Sequence, residues 1–178
     1  MKNIFICLLG IAMLAACGHK TDREEQIRNI EEREQNFEFD VYDTTGLDAS
    51  AAEMIGLYRQ FYTDFPTDSL APVYMQRAAD IDISLGRPAD AVALLDSIIT
   101  LHADYADVAG CWFLKGYAYE TAEDYDAARQ AYTYFVDTYP DHYLAADTRI
   151  TLQYLGLSAE EMFEAIMAGA TDKNLVME

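Results

Sequence analysis

Positive charge is scarce in this 178-residue sequence: 12 Lys and Arg stand against 31 Asp and Glu, for a formal net charge of −19. Nucleic acids and anionic lipid headgroups are both bound through clustered Lys and Arg. The charge balance therefore argues against both as ligands, and a charged partner should be basic. For most of the acids a simpler role suffices, because a charged surface keeps a protein soluble.

Cysteine and long apolar runs are also scarce. The sequence has 3 cysteines, Cys7, Cys17 and Cys111. The apolar run from Ile4 to Cys17 is shorter than the about 20 residues that a bilayer-spanning helix needs. It follows Lys2 and is typical of a secretory signal. If Cys7 leaves with the signal and Cys17 is modified, only Cys111 remains, so no intrachain disulfide is expected.

The residues at the end of the apolar run indicate the role of Cys17. Cleavage at an ordinary secretory site before Cys17 would put the bulky Leu14 where a small residue is required. The stretch Leu14-Ala15-Ala16-Cys17 instead resembles the lipobox of bacterial lipoproteins. The resemblance implies removal of residues 1–16, acylation at Cys17, and stable anchoring to a membrane without a spanning helix.

The residue after the cysteine bears on the choice of membrane. Some bacteria retain lipoproteins in the inner membrane when an aspartate follows the cysteine, and this chain has Gly18 there. The lipoprotein resemblance therefore favours a lipid-anchored protein of the outer membrane that faces the periplasm. A plain secreted protein in which Cys17 is incidental is the alternative.

Residues 17–49 are rich in charge and carry few regularly spaced apolar residues. Ile27, Ile30 and Phe37 could support a short helix, but so narrow an apolar stripe is marginal without a surface to pack on. We expect a partly helical, mobile tether that lifts the folded domain off the membrane, with an interaction helix as the alternative. The folded domain is expected at residues 50–168 and a C-terminal tail at 169–178.

One apolar pattern recurs three times at a spacing of 37 residues. In each copy the residues follow one another at intervals of four, three and four, which places them on one face of an α-helix. The copies are Met54, Tyr58, Phe61 and Phe65, then Ala91, Leu95, Ile98 and His102, then Ala128, Tyr132, Phe135 and Tyr139.

Other helices are predicted between these copies, at about residues 70–85, 106–121 and 142–155, and a last one from Ser158 to Met167. Ser50 with Glu53, and Ser158 with Glu161, fit the capping box that marks a helix start. Pro66 and Pro140 end the first and third copies. About seven helices with tight turns, and no alternating strand pattern, predict an all-α array of antiparallel helix hairpins.

The densest copy, residues 111–140, resembles the tetratricopeptide repeat in residue type and interval. Small residues stand where two helices of a hairpin approach closely, and aromatic residues fill the space around them. The residues that carry this resemblance are Trp112, Gly116, Tyr119, Ala128, Tyr132, Phe135 and Pro140, and more loosely Met75, Ala79, Ala91 and Leu95 in the preceding copy.

The resemblance implies a tetratricopeptide-type solenoid over about residues 50–165. Its longer turns and aromatic helix ends are similar to the repeat lipoproteins of the barrel-assembly machine and to the Tol-Pal-associated periplasmic repeat protein. Such arrays bind partners on the inner face, which the first helix of each hairpin forms. The resemblance assigns partner binding to Gln76, Asp80, Phe113, Tyr117, Glu120, Ile150 and Tyr154.

These residues predict a groove with an aromatic floor and an acidic edge, suited to a peptide that carries a basic residue. Ile150 and Tyr154 have an alternative role, since the helix from Ser158 could cover them as a cap.

No pattern in the sequence indicates catalysis. His19, His102 and His142 have no metal-ligand spacing to another His or Cys, and no glycine-rich phosphate loop occurs. Cys111 reads as a small buried packing residue. We therefore expect no enzymatic activity, metal or cofactor. The expected function is a lipid-anchored scaffold that binds an envelope protein or peptide; the alternative is an accessory lipoprotein for a small molecule or glycan.

Overall fold

Helices account for nearly all of the chain that the structure describes. The computed structural model describes residues 22–35 and 44–175, with side chains for 22–35 and 49–168. Those residues form eight α-helices. The helices are α1 (Arg23–Gln35), α2 (Thr44–Asp64), α3 (Ala71–Ser84), α4 (Pro88–Leu101), α5 (Val108–Thr121), α6 (Tyr125–Thr138), α7 (Ala145–Tyr154) and α8 (Ala159–Leu175).

From α1 to α7, neighbouring helices pack side by side in antiparallel pairs. The pairs α1–α2, α3–α4 and α5–α6 form hairpins, and α2 on α3, α4 on α5 and α6 on α7 join one hairpin to the next. The helices α3, α5 and α7 begin 37 residues apart, as do α4 and α6. The period read from the sequence is therefore the period of the fold. An all-α solenoid of helix hairpins is confirmed.

The recurring apolar stripe forms the core. In α2, α4 and α6 the first three residues of each copy are buried, and the fourth is half-buried at the helix end. Burying an aromatic side chain such as Tyr132 or Phe135 contributes about 1.5–3 kcal/mol. Burial of the stripe therefore stabilises the packing of the hairpins.

The predicted stop signals coincide with helix ends. α2 ends at Asp64 and α6 at Thr138, shortly before Pro66 and Pro140, because proline lacks the amide that a helix requires and restricts the residue before it. The α3–α4 turn contains Gly86 with φ 69°, a left-handed backbone that glycine adopts without steric cost.

Of the two predicted capping boxes, one is confirmed and one is wrong. The Glu161 amide donates to Ser158 Oγ at 3.2 Å, and the Ser158 amide donates to Glu161 Oε2 at 2.8 Å, so α8 begins with a capping box. α2 begins earlier, at Thr44. Ser50 lies inside that helix and its Oγ accepts a hydrogen bond from Arg33 at 3.1 Å.

The short helix expected in the tether is confirmed, but it is not part of a free arm, because residues 23–35 form α1 and pack on the domain. Ile30 is only 1% exposed, and Ile27 packs on the same core cluster. The narrow apolar stripe of α1 therefore packs against α2. The sequence pattern alone did not predict this contact. This part of the chain is a docked helix, in contrast to the mobile arm that we expected.

Polar contacts fix both ends of α1. At its start, Arg23 donates to the Asp68 carboxylate at 2.5 and 3.1 Å, and this hydrogen bonding lowers the pKa of Asp68. At its end, Glu34 accepts a hydrogen bond from the Tyr58 hydroxyl at 2.7 Å and pairs with Arg77 of α3. Since Asp68 precedes α3 and Arg77 lies inside it, α1 and α3 run in the same direction.

Several predictions from the sequence lie outside the described residues. They include the signal at residues 1–16 and the lipidation of Cys17. α8 extends to Leu175, through much of the segment expected as a tail. In the described part of the chain, no helix has the length and apolar character that crossing a membrane requires.

Candidate functional site

The inner face, formed by α3, α5 and α7, is the place where partner binding was predicted. On it α3 and α5 touch directly. Gln76 Nε2 donates to Asp107 Oδ2 at 2.7 Å, and the Tyr105 hydroxyl donates to Gln76 Oε1 at 2.7 Å. The amide of Gln76 therefore has partners on both sides, and it joins α3 to the start of α5.

Asp80 lies one helical turn beyond Gln76 and supplies the acidic edge. The residue as a whole is exposed, but the groups packed around its carboxylate still remove part of the water from it. Loss of solvation, followed by the negative charge of Asp107, raises the pKa of Asp80 to about 6. A cation beside this carboxylate would favour its charged form. The position thus suits a basic group of a partner.

Three of the predicted residues meet in one cavity at the other end of α5. Glu120, Ile150 and Tyr154 line it, together with Tyr125 of α6 and Met162 of α8. The cavity has a volume of about 590 Å³. We call it the C-terminal cavity. It brings together side chains from α5, α6, α7 and α8.

The C-terminal cavity is acidic. Among the described residues that line it are Glu120 and Glu123, and none is Lys or Arg. Glu120 is held in place because its Oε2 accepts a hydrogen bond from the buried Tyr132 hydroxyl at 2.7 Å. A fixed carboxylate beside apolar side chains favours a partner that presents a basic group there.

Tyr117 and Phe113 lie four residues apart on α5 but have different surroundings. Tyr117 is 43% exposed, as a groove residue should be. Phe113 is half-buried, and its ring lies 5.8 Å from the rings of both Tyr132 and Phe135. Leu152 of α7 belongs to the same packed clusters. This corrects the expected position of Phe113, which packs α5 against α6 and α7.

The α8 helix leaves most of the inner face open, because it makes few contacts with the other helices and residues 159–168 are exposed. Ile150 remains 55% exposed, while Tyr154 is half-buried. From α8, Met162 contributes to the wall of the C-terminal cavity. The alternative in which this helix buries both residues as a cap is therefore wrong for Ile150.

A larger cavity, which sequence reasoning missed, lies between the α2–α3 turn and the α4–α5 turn. Its volume is about 800 Å³ and its apolar wall includes Pro66, Val73, Leu101 and Tyr105. Leu101 is 66% exposed. We call it the turn cavity. The 37-residue period could have predicted this cavity, because turns that are one period apart lie side by side in a solenoid.

The single tryptophan takes part in packing between helices. The Trp112 ring lies 4.0 Å from the ring of Tyr134 on α6. Lys115 Nζ lies 5.2 Å from the Trp112 ring and pairs with Asp96 of α4 at 2.5 Å. Sugars bind on open aromatic rings, so this geometry does not favour the glycan-binding alternative.

Within residues 22–35 and 44–175, no group of three or more His, Cys, Asp or Glu is placed to hold a metal ion. Cys111 is fully buried, and burial raises the pKa of its thiol to about 12. The thiolate is the reactive form of cysteine. Cys111 is therefore neutral and unreactive near pH 7, as expected of a packing residue.

Comparison with known proteins bears on the α5–α6 hairpin. A family model described as tetratricopeptide repeat matches residues 111–142. No curated protein and no solved structure gives a match. Within the matched segment, Gly116 lies against the Tyr132 ring and Ala128 is fully buried, as the close approach of the two helices requires. The α5–α6 hairpin is thus similar to a tetratricopeptide repeat in sequence and in packing, and it is set in an all-α solenoid of tetratricopeptide type.

Proposed function

We propose that this chain is a protein-binding scaffold of the bacterial cell envelope, anchored by lipid at Cys17, with an envelope protein or peptide held on its inner face. Tetratricopeptide repeats generally mediate protein–protein binding, which supports a protein partner. The observation that carries the proposal is the C-terminal cavity, where exposed apolar and acidic side chains face one volume.

The partner segment presents an apolar side chain next to a basic one. Ile150 and Tyr154 offer apolar surface, and burying one aliphatic side chain against them is worth about 1.5–3 kcal/mol. Glu120 and Glu123 lie on the same cavity wall, so a Lys or Arg beside the apolar residue completes the match. A basic residue further along the segment reaches Asp80.

The proposal of lipid anchoring rests on the Leu14-Ala15-Ala16-Cys17 motif. Gly18, which stands where an aspartate would favour the inner membrane, supports localisation at the outer membrane with the domain in the periplasm. Cys17→Ser should leave the precursor uncut or release the protein from membranes, because the thiol is the attachment atom. Membrane fractionation in high salt and the mass of the mature chain measure this.

The matched control for this variant is Cys111→Ala, which should leave both the membrane fractionation and the mass of the mature chain as expected for a processed lipoprotein. If Cys17→Ser is processed normally and still sediments with membranes, the lipoprotein proposal is refuted.

A photo-crosslinking residue at Ile150, introduced in cells, should capture the partner. The Tyr117→Ala, Ile150→Ala double variant should then bind the captured partner at least about 30-fold more weakly, or ~2 kcal/mol, since a few anchor residues carry most of an interface's energy. Phe113 is left intact because its ring packs between helices.

The matched control is Tyr143→Ala, since Tyr143 is 81% exposed but lies in the α6–α7 turn, and not on the helices of the inner face. It should bind normally. The helical spectrum of all three proteins should be unchanged. Normal affinity of the folded double variant would place the binding surface elsewhere on the chain.

A further inference from the structure

The helix layer has two edges that carry different features. At the first edge α2, α4 and α6 end and α3, α5 and α7 begin, so the turns at residues 65–70, 102–107 and 139–144 lie there. The second edge carries the remaining turns, at residues 85–87, 122–124 and 155–158. The turn cavity opens at the first edge, and the C-terminal cavity lies at the second.

The start of α1 is fixed at the first edge. Arg23 is bonded there to Asp68, in the α2–α3 turn. The Gln26 amide donates to the Asp22 carbonyl at 3.0 Å, so Asp22 belongs to the first turn of the docked helix. The chain that leads back to Cys17 therefore departs from the first edge.

The covalent distance to Cys17 is short. Five residues separate the positions of Cys17 and Asp22, and five residues span at most ~18 Å. The helices α3, α4, α5 and α6 each have 14 residues, so the two edges are ~21 Å apart. Even with the chain fully extended, Cys17 falls ~3 Å short of the second edge while α1 stays docked, so the docked helix favours the first edge against the membrane.

We propose that the first edge of the domain faces the membrane that holds Cys17, and that the second edge, with the C-terminal cavity, faces away from it. This inference rests on the lipid anchoring in the proposed function. Leu101 and Tyr143, which are 66% and 81% exposed, then lie nearest the lipid headgroups.

The charge of the first edge selects the kind of lipid surface. Asp104 and Asp141 are exposed on it, and they would be repelled by anionic headgroups, which act over about a Debye length of 10 Å at 0.1 M salt. The surface that fits is zwitterionic. Exposed leucine and tyrosine side chains suit the boundary between headgroups and acyl chains.

Docking of α1 is what sets this orientation. A free tether over residues 17–49 would reach ~110 Å, enough for the domain to turn either edge to the membrane. With α1 packed through Ile30, the chain between Cys17 and Asp22 reaches at most ~18 Å, which is less than the ~21 Å between the two edges of the domain.

The test measures the distance of each edge from the membrane. The full, acylated chain is bound to phosphatidylcholine vesicles that carry an acceptor dye on the headgroups. A donor dye is attached to Leu101→Cys at the first edge or to Ala89→Cys at the second. Both positions are exposed on α4, 12 residues or ~18 Å apart along its axis. Acylated Cys17 and buried Cys111 do not react with the dye.

Energy transfer should be stronger from residue 101, which should lie closer to the headgroups by up to ~18 Å. Equal distances, or a shorter distance from residue 89, would overturn the orientation while leaving lipid anchoring intact. If the parent chain does not float with the vesicles, lipid anchoring fails, and the orientation fails with it. Vesicle flotation thus distinguishes a failure of the proposed lipid anchoring from a failure of the proposed orientation.

Two variants of α1 test the cause. Ile30→Asp places a charge in a buried contact and should undock α1, so that the difference between residues 101 and 89 disappears. Arg28→Asp places the same carboxylate on the exposed side of α1, with a larger change of net charge, and should preserve the difference. If Ile30→Asp retains the full difference with a native helical spectrum, the role of α1 is refuted. If it unfolds, the comparison in the parent and in Arg28→Asp still decides the orientation.

Discussion

Replacing Gly116 with alanine tests the closest helix contact in the repeat. A Cβ added at Gly116 would lie 2.4 Å from Cδ1 and 2.6 Å from Cε1 of Tyr132, whereas carbon atoms in contact lie about 3.5–4.0 Å apart. The ring has little room to move, because Tyr132 is 1% exposed and its hydroxyl is bonded to Glu120. Helix α5 or α6 must therefore shift by ~1 Å.

The magnitude follows from two opposing effects. Overpacking of a core costs about 1–3 kcal/mol, and so short a contact belongs at the upper end. Alanine is favoured over glycine inside a helix by about 1 kcal/mol. The expected net loss is ~2 kcal/mol in the free energy of unfolding. Gly56→Ala in α2 is the matched control, since no atom lies within 4 Å of its added Cβ, and it should gain up to ~1 kcal/mol.

The difference between the two variants, ~3 kcal/mol, isolates the steric effect because the gain in helix propensity is common to both. For a chain of this size it corresponds to a gap of roughly 9 °C in melting temperature, measurable by circular dichroism. Equal melting temperatures, or a Gly116→Ala variant as stable as the parent, would refute the reasoning. In a Tyr132→Leu background the alanine should cost less, since the clashing ring is gone.

Ala128→Arg should lower the free energy of unfolding by at least ~3 kcal/mol, because it forces an unpaired charge into a fully buried position; a urea midpoint close to that of the parent would contradict this. Asp80→Asn should reduce the pH dependence of stability. The pKa of Asp80 is about 6 in the folded state, above its unfolded value, so the parent binds more protons when folded and loses stability as pH rises from about 4 to 6. Unfolding curves at pH 4 and 7 should show a smaller loss in the variant, and an equal loss would contradict the assignment.

The helices α3 to α7 were predictable because their signals are local. The spacing of Ala91, Leu95 and Ile98 identifies one face of a helix, and that face is buried in the structure. Ser158 and Glu161 cap each other through neighbouring backbone amides, so their pairing needs no distant part of the chain. The same spacing at Ser50 and Glu53 gave a false helix start, since Ser50 and Glu53 both contact Arg33 of α1.

The candidate site was predictable in part. Tyr117 and Ile150 are exposed as expected, and Glu120, Ile150 and Tyr154 share one cavity. Phe113 has the same periodic position as Gln76 and Ile150, yet it is packed. Periodicity predicts the face of the helix on which a side chain lies. Whether a neighbouring helix covers that side chain depends on the packing of α5, α6 and α7, which periodicity does not predict.

Local information in the chain was sufficient for the 37-residue period, the helix hairpins and the lipobox-like motif at Cys17, since each depends on residues close together in sequence. The docking of α1 required the folded domain. Ile30 has too few apolar neighbours to stabilise an isolated helix, and the residues of α2 and α3 that hold the end of α1, Tyr58 and Arg77, lie tens of residues away. Because that long-range packing shortens the free chain before Asp22, it also sets which edge of the domain we expect to face the membrane.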